Sequence, residues 1–161
     1  MMLKSESKVC MILDDHPLVC AAIERLISQS DKFTQVLTET NASKGLKFIK
    51  ENQVDCLILD VNLDNYDGFE FLRRIKSHGY KGKTLFISAN DSHLYSDTAV
   101  RIGANGYISK SADMGLIADA VDCIMSGYSF FKSYGQQTKN KLDTDVKLSK
   151  QELVVFNYLI I

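Results

Sequence analysis

Val9-Cys10-Met11-Ile12-Leu13-Asp14-Asp15 and Val54-Asp55-Cys56-Leu57-Ile58-Leu59-Asp60 are two short apolar runs that end in carboxylates. Near-continuous apolar segments of this length read as parallel strands buried on both faces, since a half-exposed strand would alternate with polar residues. The spacing predicts strands over Val9–Leu13 and Val54–Leu59, further strands over Thr84–Ile87 and Gly106–Ile108, and a weaker one over Phe33–Leu37. Between them the apolar period becomes helical. The stripes are Leu18, Ala22 and Leu26; Leu46 and Ile49; Phe69, Leu72 and Ile75; and Leu116, Ala120, Val121 and Ile124.

Punctuation agrees with this division. Pro17 suits a first helical turn, Asp67-Gly68 a turn before the third helix, and Gly127 a helix stop. The fourth helix, expected within residues 91–102, is rich in Ser, Asp and Thr, so both its propensity and its apolar contact are poor. Low local stability suits a moving element. Five strands alternating with helices give an α/β fold, a doubly wound parallel sheet with helices on both faces, because parallel strands need crossovers and the crossovers are right-handed. The expectation is a flavodoxin-like (βα)5 architecture with strand order 2-1-3-4-5.

Bulk properties limit the function. A chain of 161 residues supports one core with a short appendage, and its 45% hydrophobic and 24% charged residues are ordinary for a globular protein. No apolar run is long enough to span a bilayer, and the start of the chain lacks the pattern of a signal peptide, so the expected location is the cytosol, with no membrane partner. The net charge of −1 gives no reason for the chain as a whole to seek DNA. Cys10, Cys20, Cys56 and Cys123 have no close spacing and read as reduced core residues. His16, His78 and His93 lie on different connections and read as surface residues, not as a metal site or a triad.

In an open parallel sheet, ligands bind beyond the carboxyl ends of the strands. Asp14 and Asp15 end the first strand and Asp60 ends the third, its neighbour in the expected order. Three convergent carboxylates repel unless a cation is bound, and a small hard ion with oxygen ligands points to Mg²⁺. Asp60 would then be the in-line nucleophile toward a phosphoryl donor, while Ser88 and Lys110, at the ends of two further strands, would reach the phosphoryl oxygens. Each residue alone has a plainer role: Asp15 as a helix cap, Asp60 as a turn cap with Asn62, Ser88 bonding its own backbone, and Lys110 as a solvated charge. Four strand ends supplying one phosphoryl site together are hard to assign to such roles.

These residues also carry a resemblance. Asp14-Asp15-His16-Pro17, Leu59-Asp60-Val61-Asn62-Leu63, Asp67-Gly68, Ser88-Ala89 and Gly103-Ala104-Asn105-Gly106-Tyr107-Ile108-Ser109-Lys110 resemble a response-regulator receiver domain over about residues 8 to 132. The Asp-Asp-His-Pro and Gly-Ala-Asn-Gly-Tyr motifs and Ser126-Gly127-Tyr128-Ser129-Phe130-Phe131 are similar to the NarL/FixJ branch, of the FimZ, EvgA and BvgA type. The resemblance implies that Asp60 accepts a phosphoryl group from a sensor histidine kinase or phosphotransfer protein, with Mg²⁺ on Asp14, Asp15, Asp60 and the Asn62 carbonyl. It implies that Lys110 pairs with the phosphoryl group, that Ser88 and Tyr107 move as a switch, and that Asn62 and Asn90 tune hydrolysis. It also implies a homodimer, and a signalling domain with at most slow self-dephosphorylation in place of enzymatic turnover. Asp64 stands where this family often has Pro, which bears on loop rigidity and on phosphoryl lifetime.

The expected organisation is a tail over residues 1–7, a receiver over 8–132, a polar linker over 133–147 and, over 148–161, the opening of a LuxR-type helix-turn-helix that stops within its first helix. That helical appendage rests on the capping box Ser149-Lys150-Gln151-Glu152 and the stripe Leu153, Phe156 and Ile160, with a terminal helix docked on the receiver as the alternative. DNA contact is expected only through the part of the effector domain that is missing. Two rivals differ in class. A haloacid-dehalogenase-like phosphohydrolase would need a general acid where Asn62 stands, and a pseudo-receiver acting as an interaction module would not need the acid set.

Overall fold

The computed structural model describes residues 7–90, 92–111 and 115–131. Residues 1–6 of the expected tail over 1–7, the linker and the helix-turn-helix opening lie outside the described residues. The elements run β1 (Val9–Leu13), α1 (Pro17–Ser28), β2 (Gln35–Glu39), α2 (Ala42–Glu51), β3 (Cys56–Asp60), β4 (Asn62–Leu63), β5 (Tyr66–Asp67), α3 (Gly68–Ser77), β6 (Lys83–Ser88), α4 (His93–Arg101), β7 (Gly106–Ser109), α5 (Gly115–Met125) and β8 (Phe130–Phe131). The main sheet has the order β2-β1-β3-β6-β7-β8, with every pairing parallel. Its five long strands therefore follow the expected 2-1-3-4-5 order of a doubly wound, flavodoxin-like sheet.

Alternation along the central strands splits the core into two layers. Cys10, Ile12, Cys56, Ile58, Leu85 and Ile87 pack under α1 and α5, against Cys20, Ile23, Ala120 and Ile124. On the other face Met11, Leu13, Leu57, Leu59 and Phe86 meet Ile49 of α2, Phe71, Leu72 and Ile75 of α3, and Ala99 of α4. All four cysteines are free and buried, as their scatter through apolar segments implies.

Three expectations need correction. In α1 the buried face is Cys20, Ile23 and Ile27, whereas Leu18 is 85% exposed. The segment carries two overlapping helical stripes, so spacing alone could not select the phase. In β2 the ladder begins at Gln35 opposite Val9, two residues later than expected, while Phe33 packs on the core as loop. A sixth strand, β8, joins the far edge. Gly127, at φ +98°, turns the chain after α5, and the Phe130 amide donates to the Asn105 carbonyl at 2.9 Å. A Cβ on Gly106 would meet the Phe130 carbonyl oxygen at 2.9 Å and Leu85 Cδ1 at 2.8 Å, so the close approach of β8 requires glycine there.

The antiparallel hairpin β4–β5, turning at Asp64-Asn65 with Asn65 at φ +60°, delivers the chain from β3 to α3. The Asp67 side chain caps α3, accepting from the Phe69 amide at 2.8 Å. Gly68 must be glycine for steric reasons, since a Cβ would sit 2.3 Å from the carbonyl oxygen of Asp60. No helix among the described residues is long and apolar enough to cross a membrane.

Candidate functional site

The site is built at the carboxyl ends of β1, β3, β6 and β7, where backbone bonds lock the strand ends together. The Val61 amide donates to the Ile87 carbonyl at 3.0 Å and the Lys110 amide to the Ser88 carbonyl at 2.6 Å. Asp14 and Asp60 are 0% and 1% exposed, which is unusual for carboxylates. Lys110 supplies the balancing charge: its Nζ lies 2.9 Å from Asp14 Oδ2 and 3.1 Å from Asp60 Oδ2. The four strand-end residues Asp14, Asp15, Asp60 and Lys110 are thus brought together, and Lys110 is not a solvated surface charge.

Burial and then the charge of Asp14 push the Asp60 carboxyl above the usual carboxylate range, against the opposing bond from Lys110. Burial pulls Lys110 down, but its bonds to Asp14 and Asp60 outweigh this and leave the ammonium raised. An acid that holds its proton more tightly than usual, beside a fixed ammonium, marks a site short of positive charge.

The donor set fits a divalent ion. Asp14 Oδ2 and Asp15 Oδ1 are buried, the first held by Lys110 Nζ at 2.9 Å and the second 3.0 Å from His16 Nδ1. Among the described residues, Asp14, Asp15, His16 and Asp60 offer ligand atoms that all lie within 4.8 Å of one another. Three convergent carboxylates facing one ammonium leave excess negative charge and spare oxygen lone pairs, which an oxygen-seeking cation would satisfy.

His16 is a surface residue, as expected from the sequence, with its side chain 61% exposed, and its ring also meets the edge of the acidic cluster. Its Nδ1 is 2.9 Å from Asp14 Oδ1 and 3.0 Å from Asp15 Oδ1, and the Asp14 bond followed by the Asp15 charge raises its pKa. Adjacency to two strand-end acids was the available signal. His16 is also the N-cap of α1, with no side-chain cap bond, so Asp15 does not cap that helix.

The remaining candidates flank the cluster. The Asp60 side chain accepts from the Asn62 amide at 3.1 Å, so its turn-capping role coexists with its place in the acidic group, and the Asn62 side chain is exposed. Ser88, fully buried, accepts from the Asn90 amide at 2.9 Å. Tyr107 is 2% exposed, and its hydroxyl donates to the Asn90 carbonyl at 2.5 Å. Ser88, Asn90 and Tyr107 therefore form one linked group at the ends of β6 and β7, with Tyr107 directed inward. A cavity of about 390 Å³ lies at the opposite end of the sheet, lined by residues that include Val54, Asp55, His78 and Tyr80. The chemistry belongs to the carboxylates nonetheless, because an ion and a phosphoryl group need convergent donors more than volume.

Comparison with known proteins decides the family. Residues 10–122 match the family described as the response regulator receiver domain. The chain belongs to the response-regulator receiver family. It is 36% identical to the Fimbriae Z protein of Salmonella typhimurium, over 92% of this chain and 74% of that protein. It is 31% identical to the DNA-binding transcriptional activator EvgA of Escherichia coli K12, over 93% and 75% of the two chains. Among solved structures, the signal receiver domain of NarL from Mycobacterium tuberculosis superposes with a TM-score of 0.67 at 26% identity, covering 76% of this chain and 99% of that one. A LuxR-family two-component response regulator from Aurantimonas shares the fold with a TM-score of 0.73 at 23% identity, over 86% and 99%. The receiver is thus of the NarL/LuxR type anticipated from its motifs.

Proposed function

We propose that this receiver is a phosphorylation switch in which Asp60 accepts a phosphoryl group from a sensor histidine kinase or phosphotransfer protein. The observation that carries the reading is the pairing of buried Asp60 with Lys110 at 3.1 Å inside a cluster that also gathers the carboxylates of Asp14 and Asp15. Asp14, Asp15 and Asp60, with the Asn62 backbone carbonyl, would hold Mg²⁺, which supplies charge neutralisation for the transferring group. Lys110, already raised and fixed by two carboxylates, would transfer its contact to a phosphoryl oxygen once Asp60 is esterified.

Esterification replaces a carboxylate that accepts from Lys110 with a larger dianionic group, so the bonds around it must rearrange. Ser88 follows the register partner of Asp60 on β6, and its Oγ accepts from the Asn90 amide while the Asn90 carbonyl accepts from Tyr107, which supports a switch running from Ser88 through Asn90 to Tyr107. The side chains of Asn62 and Asn90 are exposed and free to tune attack by water, and Asp64 adds a carboxylate to the hairpin where a proline would stiffen it. The wider proposal is a cytoplasmic regulator that dimerises and controls transcription through an effector domain.

Incubation with Mg²⁺ and acetyl phosphate tests the central step. The expected result is a mass gain of one phosphoryl group that is lost in Asp60→Asn and without Mg²⁺. An unchanged mass in the native chain would favour a receiver that works as an interaction module without phosphate.

A further inference from the structure

Lys50 and Lys81 line the cavity of about 390 Å³ at the amino ends of β3 and β6, the end of the sheet away from Asp60. Its walls are the last turns of α2 and α3 and the loops that lead into β3 and β6, and its apolar part is made by Ile49, Val54 and Ile75, all buried. The volume falls in the range of small-molecule sites, about 300–1,000 Å³. The Tyr80 hydroxyl donates to the Lys83 carbonyl at 2.7 Å, which fixes the loop into β6.

The acceptors around this cavity are already used. The Asp55 carboxylate takes the Val9 amide at 2.8 Å on Oδ2 and the Gln53 side-chain amide at 2.9 Å on Oδ1. In the last turn of α2 the Phe48 carbonyl accepts from the backbone and side-chain amides of Asn52, at 2.8 and 3.1 Å. In the last turn of α3 the Arg74 carbonyl accepts from Ser77 Oγ at 2.7 Å and His78 Nδ1 at 2.9 Å. The Ile75 carbonyl accepts from the amides of His78 and Tyr80, and the Lys76 carbonyl from that of Gly79, each at 3.0 Å. Open helix-end carbonyls would draw a cation, but these are capped. The ammonium groups of Lys50 and Lys81, by contrast, enter no ion pair or hydrogen bond among the described residues. Unpaired ammonium groups beside spent acceptors favour an anion.

We propose that this cavity binds a small organic phosphate, with its anionic group on Lys50 and Lys81 and its apolar part against Ile49, Val54 and Ile75. Two ammonium groups match the near-dianion of a phosphate monoester better than a single carboxylate charge, and lysine binds phosphate as a point charge. The apolar wall selects an ester over the free ion. The site is independent of phosphorylation at Asp60, which ends β3 on the other side of the sheet.

Titration of the metal-free chain with phenyl phosphate at neutral pH, followed by proton–nitrogen correlation NMR, tests this. The amides of Gln53, Gly79, Lys81 and Gly82 should shift and saturate. The affinity should fall about tenfold in Lys50→Gln and in Lys81→Gln, because each loses one charge-assisted contact. Both lysines are exposed, so these variants keep the fold. Lys44→Gln removes an exposed ammonium of α2 that lies outside the cavity and should leave the affinity unchanged. Benzoate, with the same ring and one charge, should bind more weakly than phenyl phosphate. Shifts centred on Val61 and Lys110 would put the anion at the strand-end site and overturn the proposal. So would the absence of saturable shifts around the cavity, an affinity kept in both Lys50→Gln and Lys81→Gln, an equal loss in Lys44→Gln, or benzoate binding as tightly as phenyl phosphate.

Discussion

Lys110→Met removes the ammonium from the site while keeping most of its stem, and the structure sets the size of the effect. The side chains of Asp14 and Asp60 are 0% and 2% exposed, and both lose their counter-ion in this variant. Stripping one partner from a fully buried ion pair costs about 3–5 kcal/mol. Lys110 is itself 19% exposed, and a carboxylate can take up a proton in place of staying charged, so the expected loss at neutral pH is about 2–3 kcal/mol. The sign with pH follows from Asp60. Its folded pKa is already raised by burial and rises further without Lys110, so the folded state binds more protons than the unfolded one above the ordinary carboxylate pKa. The deficit of the variant is therefore full at neutral pH and shrinks as pH falls through the raised pKa. Mg²⁺ should recover about 2.7 kcal/mol when present at a hundredfold excess over its Kd, and at least as much in the variant as in the native chain. Urea denaturation with and without Mg²⁺, at neutral and acid pH, measures all three quantities. A variant as stable as the native chain at neutral pH would refute the reasoning, as would a deficit that persists into acid or a variant that Mg²⁺ does not stabilise.

Gly68→Ala puts a methyl 2.3 Å from the Asp60 carbonyl oxygen and 2.8 Å from Val61 Cα, both backbone atoms with little room to move. A loss of about 1–3 kcal/mol in urea denaturation is expected despite the better helix propensity of alanine, and a variant of native stability would contradict the packing described. Phe130→Ala removes a side chain that is 1% exposed and should cost about 3–5 kcal/mol, whereas a loss under about 1 kcal/mol would mean that β8 is not part of the cooperative core. Burial pushes Cys20 and Cys123 up to about 11, so between about pH 9 and 11 the unfolded chain ionises thiols that the folded chain keeps protonated. Each thiol then removes about 1.4 kcal/mol of stability per pH unit as pH rises; an unfolding midpoint in urea that is equal at pH 8 and pH 10 would rule this out.

The sheet was legible in the sequence because β1, β3 and β6 are buried on both faces, and such strands must be apolar at consecutive positions. Asp14, Asp15 and Asp60 were legible for a related reason: a carboxylate that ends an apolar run has few structural roles, and three of them on adjacent strands share one. What failed was phase and edge. Leu18 and Cys20 both belong to acceptable helical stripes in α1, and only the tertiary contacts of Cys20, Ile23 and Ile27 choose between them. The two-residue strand Phe130–Phe131 is too short to leave a period, and it forms because Gly106 and Gly127 let the chain approach and turn. The contact of His16 with the cluster was overlooked because histidines were weighed against each other for pairing, when its partners were the acids immediately before it.

The most direct test of the gathered carboxylates is an anomalous difference map from crystals of this chain grown with Mn²⁺. The account predicts a peak bonded to the side chains of Asp14, Asp15 and Asp60. A map with no peak between those carboxylates, or with the ion bound elsewhere on the chain, would contradict it.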